Sequence, residues 1–238
     1  MGKRESDYLY TLLVRLSGPL QSWGSDSLYD TRGTDYYPTK SGVIGMVAAA
    51  LGIKRDGCLD ELNSLKFGVR IDCQGEYLKD YHITDMGEEL KRNLSLRYYL
   101  SDATFLVGLS SSDYSLLKKI DDALQKPKYT LYLGRKACPP TMPIDLGIQE
   151  KDLYEALYLH EWLIPEWRRN GLFKWREKLE LRILMEAQEG ALKKDVPISF
   201  HSNNRQYGYR NIKDMPRKIV HKTDMNIETS HDPMKELR

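Results

Sequence analysis

The stretch LSLRYYLSDATFLVGL, residues 94–109, decides the architecture. Its apolar side chains fall on even numbers before Asp102 (Leu94, Leu96, Tyr98, Leu100) and on odd numbers after it (Ala103, Phe105, Val107, Leu109). A period of two marks a strand, and a change of parity shifts the pleat by one residue, so a bulge or bend belongs at Ser101 and Asp102. Upstream, Gly75 turns the chain into residues 77–84, the outgoing arm of a projecting hairpin with a polar tip at 85–93. Further out, residues 8–16 alternate as a mostly buried strand, and residues 66–72 read as another.

Two helices complete the pattern. Pro38, with Thr39 or Ser41 as N-cap, opens an apolar helix that Gly52 stops. Residues 113–125 place Leu117, Ile120 and Leu124 on one face before Pro127. Residues 129–133 read as a strand leading to the basic turn Gly134-Arg135-Lys136. The order strand, helix, strand, strand, helix, strand predicts an α+β fold, a modified ferredoxin-like or RRM-like unit with an enlarged hairpin. Residues 178–185, 196–201 and 206–212 are additional C-terminal strands, residues 153–175 show no readable period, and the polar tail begins at residue 223.

The 238 residues, 41% of them hydrophobic, suffice for a real core, and the longest apolar run, residues 43–51, is too short to span a bilayer. No signal peptide is read at the start, and three widely spaced cysteines support neither a disulfide framework nor a zinc knuckle, which fits the cytoplasm. The net charge of +2 hides segregation: Lys126, Lys128, Arg135 and Lys136 meet no acid between them, and the cations from Arg205 to Lys222 meet only Asp214. Interleaved with Tyr129, Tyr132, Tyr207 and Tyr209, these stripes match a nucleic-acid groove as well as a solvated face.

Thr39-Lys40-Ser41-Gly42 invites a nucleotide reading, but the Walker A glycines are missing and about twenty residues separate strand from helix, where a P-loop turns tightly. What remains is a helix start that favours an anion, with Lys40 adding charge. Five scattered histidines predict no metal site. His201-Ser202-Asn203-Asn204 lacks the rest of an HNH nuclease, and Asp80-Tyr81-His82 leaves open a metal-free RNA cleavage by general acid-base action. The aromatic signature of an RRM sheet is absent, so RNA contact is expected through loops, helix starts and the hairpin.

Four pieces, taken in order, carry a family resemblance: residues 16–24 (LSGPLQSWG), 38–45 (PTKSGVIG), 78–82 (LKDYH) and 127–139 (PKYTLYLGRKACP). With them the chain resembles the CasD-type subunits of the type I-E CRISPR Cascade complex. The likeness is good over residues 8–147, weak over 148–177, and partly recovered at 197–212. It implies an RRM-like palm (1–147) with a β-hairpin thumb (about 73–100), a β-rich extension packed on the palm (148–222), and a polar tail (223–238). It further implies a non-catalytic ribonucleoprotein subunit of antiviral defence that caps the 5′ handle of the crRNA. Its partners would be the neighbouring Cascade backbone subunit and the large subunit, with target DNA met only through the complex, and with no membrane, cofactor or metal. By position, Gln21, Trp23, Arg32, Lys40, Ser41, Arg97, Tyr132, Arg135 and Lys136 would line the handle. A metal-independent endoribonuclease acting on CRISPR repeat RNA is the alternative from a different class, and a pure assembly subunit is a third.

Overall fold

The computed structural model describes residues 9–24, 31–84 and 93–224. The expected hairpin tip, apart from Asn93, and the tail beyond Asp224 lie outside the described residues. The chain begins with β1 (Tyr10–Ser17), short β2 (Leu20–Gln21) and β3 (Thr31–Arg32), then α1 (Lys40–Leu51) and α2 (Asp60–Asn63). Next come β4 (Lys66–Cys73), the hairpin strands β5 (Glu76–Thr84) and β6 (Asn93–Ser101), β7 (Thr104–Ser111) and α3 (Tyr114–Gln125). The remainder is β8 (Asp145–Gln149), α4 (Leu153–Leu159), α5 (Glu166–Leu172), β9 (Lys178–Ala187), β10 (Ala191–Ser199) and β11 (Gln206–His221).

Seven of these strands form one sheet in the order β10-β11-β9-β4-β7-β1-β8, with antiparallel neighbours throughout. On one face, Leu12, Val14 and Leu16 of β1 share a core with Val43 and Val47 of α1 and Leu117 and Ile120 of α3. On the other, Leu13 and Leu106 pack under Leu153, Ala156 and Leu157 of α4. Helices on both faces explain why β1 is apolar in both parities. Thr39 caps α1 by accepting from the Gly42 N–H, and Asp113 caps α3 by accepting from the N–H groups of Ser115 and Leu116.

The parity change at Asp102 is a change of sheet. β6 belongs to a second, four-stranded sheet and β7 to the large one, and between them Asp102 takes a φ of 53° while its N–H donates to the Pro19 carbonyl. The expected strand at 129–133 is absent. Leu131 and Leu133 are buried, as the alternation implied, but the backbone N–H groups of Lys128 and Tyr129 donate to the Ala50 and Ala49 carbonyls at the end of α1. Those amides therefore cap a helix, and the edge beside β1 is taken by β8 instead. The segment 153–175, unreadable in sequence, supplies α4 and α5.

Cys58 is exposed, whereas Cys138 is fully buried and desolvation pushes its thiol pKa up, with Arg135 opposing in part. A thiol reagent at neutral pH should therefore modify Cys58 in the folded chain and reach Cys138 only on unfolding. Equal labelling of both in the folded protein would contradict this packing.

Candidate nucleic-acid interface

The second sheet is the hairpin and its root. β5 pairs with β6 along its whole length, while β2 and β3 pair with β6 at its inner half, β3 in parallel. Because side chains alternate, Tyr77, Lys79, Tyr81 and Ile83 share one face with Leu94, Leu96, Tyr98 and Leu100. Leu78, Asp80 and His82 share the other with Ser95, Arg97 and Tyr99. The parallel register sets Arg32 directly beside Arg97 on that second face.

The nine residues expected at the handle do not share one surface. Arg32, Arg97 and Arg135 meet at the hairpin root, and Lys136 follows Arg135 on the basic turn. Arg32 and Lys136 are exposed and Arg97 is half-buried, its Nε 3.4 Å from Ser95 Oγ. Arg135 lies with its guanidinium 4.9 Å from the centre of the Tyr99 ring and donates from Nη2 to the carbonyls of Arg32 and Gly33. The basic turn is thus bound to the strand that carries Arg32. Gly134 makes this possible: its φ is 83°, and a Cβ there would fall 1.6 Å from the Ser22 carbonyl oxygen. Tyr132, on the same turn, is half-buried.

Gln21, Trp23 and Lys40, also expected at the handle, all face inward. The Gln21 amide donates to the Leu16 and Ala103 carbonyls and accepts from the Trp23 indole, so it joins the two sheets. Trp23 is fully buried, its backbone bridged to Asp35 and its ring close enough to Gly42 that a side chain there would meet it at 2.9 Å. Both residues pin the long loop. Lys40 is 3% exposed: its ammonium donates to the carbonyls of Asn63 and Leu65 and pairs with Glu186 at 2.9 Å.

The helix start does hold an anion, but the anion is internal. Asp195 of β10 accepts from the Lys40 backbone N–H at 3.0 Å and from the Arg210 guanidinium at 2.6 and 2.8 Å. Arg210 lies over the Phe67 ring, and Glu186 accepts from the Phe67 N–H. Ser41 is half-buried at the mouth of an adjoining cavity of about 460 Å³, lined also by Tyr37, Lys193 and Asp195. Burial works against the Lys193 ammonium there, but Asp35, Tyr37 and Asp195 together hold its pKa above the usual lysine value.

Three further residues were not legible as a site. Tyr36, from the loop before α1, approaches Tyr77 of β5 at 5.8 Å between ring centres, and Tyr77 stacks on Tyr98 of β6 at 5.1 Å. Burial, with the neighbouring phenols of Tyr36 and Tyr98, pushes the Tyr77 pKa up, and hydrogen bonding from the Thr34 backbone and the Arg135 charge draw it partly back. The only sequence signal was the shared face of Tyr77 and Tyr98, which requires the hairpin register. As consecutive strand residues, Tyr81 and His82 point to opposite faces, so they do not converge on one reacting atom. Among the described residues no group of three or more His, Cys, Asp or Glu is placed to hold a metal ion, and no helix is long and apolar enough to cross a membrane.

Known proteins carry the same architecture. The family model described as CRISPR-associated protein (Cas_Cas5) matches residues 11–213. The "CRISPR system Cascade subunit CasD" of Escherichia coli (strain K12) is 37% identical over 171 residues, covering 63% of this chain and 76% of that protein. A solved structure described as a "CRISPR RNA-guided surveillance complex" contains a chain 31% identical to this one, with a TM-score of 0.70 and coverage of 90% and 92% of the two chains. Another, described as "Crystal structure of Cas protein", is 39% identical at a TM-score of 0.68, covering 87% of this chain and 94% of that one. With a matched stretch that runs from the first strand into the last, this chain belongs to the Cas5 family of CRISPR-associated proteins.

Proposed function

We propose that this chain is the CasD-type subunit of a type I-E Cascade complex, where it binds the 5′ handle of the crRNA without cutting it. In this reading it contacts the neighbouring backbone subunit and the large subunit, and meets target DNA only through the assembled complex. The strand order β4-β7-β1-β8, with α1 and α3 on one face, supports a ferredoxin-like palm that carries β5 and β6 as a thumb and β9 to β11 as C-terminal strands. The observation that carries the RNA reading is the juxtaposition of Arg32 and Arg97. Like charges side by side in a ladder oppose folding, and a phosphate backbone relieves the repulsion. Arg135 and Lys136 extend the same positive field. The opposed directions of Tyr81 and His82 favour binding over scission.

Phosphate contacts supply affinity that salt weakens. With about three phosphates neutralised, the logarithm of handle-RNA affinity should fall against log salt with a slope of about −2, and Arg97→Ala should make the slope shallower by about 0.7. Filter binding across a salt series measures both. A flat response would remove the RNA reading in favour of an assembly-only subunit, and site-specific scission of repeat RNA by the purified chain would promote the ribonuclease.

A further inference from the structure

We propose that the rings of Tyr36, Tyr77 and Tyr98 form a stacking platform for an unpaired base of single-stranded RNA. The inference rests on the handle-binding reading and names how a base, rather than a phosphate, is held. Three segments distant in sequence bring the rings into one row, tilted by 34° and 27° from their neighbours. Tyr36 is 62% exposed and Tyr77 49% exposed, so the row is not part of a core and its outer ring is open to solvent. Every base offers a π face to such a row, and stacking on exposed aromatics is how single strands are gripped without sequence readout.

The charge around the row matches a polyanion. Lys79 is the next residue along the same face, its ammonium 5.1 Å from the centre of the Tyr81 ring. That face of the described hairpin strands carries no carboxylate; Asp80 and Glu76 fall on the other. Beyond Tyr81 the face turns aliphatic with Ile83 and Leu94, which offer no ring, so the platform is confined to the hairpin root. There Gln74 donates its amide to the Tyr36 carbonyl, and the Arg135 guanidinium donates to the carbonyls of Arg32 and Gly33 just before it. Ring and cation are thereby fixed to the same short loop.

The test uses the full chain and single-stranded RNA with the sequence of the crRNA 5′ handle, with 2-aminopurine placed at each position in turn. Stacking on the platform should quench the fluorophore at one or two positions. Tyr36→Leu, which keeps apolar bulk at the most exposed ring, should abolish that quenching and lower affinity on the order of tenfold while the salt slope stays unchanged. Arg97→Ala should do the reverse, reducing the slope but leaving quenching intact at saturating RNA. Melting of each variant checks the fold, and Tyr36→Phe should bind as the unaltered chain does. RNA binding with no quenched position, or full affinity in Tyr36→Leu, would overturn the platform while leaving the handle reading in place. Absence of RNA binding in the unaltered chain would overturn both.

Discussion

Lys40→Glu is expected to destabilise the folded chain by about 3–5 kcal/mol, the scale on which one partner of a buried ion pair is missed. The substitution removes the ammonium that Glu186 and the Asn63 and Leu65 carbonyls share, and places a second carboxylate beside Glu186 and near Asp195. The helix dipole, which by itself would welcome an acid in the first turn, contributes only about 0.3–1 kcal/mol and loses to that unpaired burial. Urea unfolding followed by far-UV circular dichroism reads the effect as a lower midpoint. Lys40→Met combined with Glu186→Leu should recover much of the loss, because removing both charges leaves no buried ion alone. An unchanged midpoint in Lys40→Glu would show that the ammonium faces solvent.

Arg70→Ala should cost a similar amount, about 3–5 kcal/mol, for a different reason. The Arg70 side chain is fully buried and donates to both oxygens of Asp72 and to the carbonyls of Leu157, His160 and Glu161. It therefore closes the C-terminal end of α4 onto β4, where Asp72 also accepts from the Leu163 N–H and from the Trp162 indole. Lysine cannot replace it, since one ammonium lacks the planar fork that reaches carboxylate and carbonyls together. Arg70→Lys should thus recover little of the lost stability. Hydrogen exchange should speed up first in residues 157–163 and in β4, and uniform exchange across the sheet would argue against this local closure.

What the sequence disclosed and what it withheld follow from the range of the interactions. Thr39, Gly52 and Asp113 mark helix ends through bonds to residues a few positions away, and the structure places α1 and α3 accordingly. The parity change at Asp102 likewise predicted a real break. Residues 129–133 showed the burial rhythm of a strand, but burial alone does not say whether an amide meets a strand or the end of a helix. Asp145–Gln149, the strand that does flank β1, is half-buried at all five positions and gave no rhythm. Leu153, Ala156 and Leu157 do have helical spacing, with Asp152 as cap, a signal obscured by the surrounding aromatics. At the candidate site, Arg32, Arg97 and Arg135 come together at the hairpin root, with Lys136 next in the chain. The inward position of Lys40 had no local signal, because Glu186, which pairs with its ammonium, and Asp195, which accepts from its backbone N–H, lie 146 and 155 positions away. The tyrosine row comes from three segments and has no linear signature.

The order of strands in the large sheet also bears on how the protein is made. As the chain leaves the ribosome, residues up to 149 can complete the run β4-β7-β1-β8, yet β4 still lacks its neighbour on the other side, and the first turn of α1 still lacks Asp195. An open strand edge invites pairing with foreign strands, and contacts between distant segments form late. The nascent sheet should therefore be a sticky intermediate until β9 and β10 arrive. Interrupted translation, or proteolysis in the linker after β8, should yield an aggregating fragment rather than a smaller working subunit.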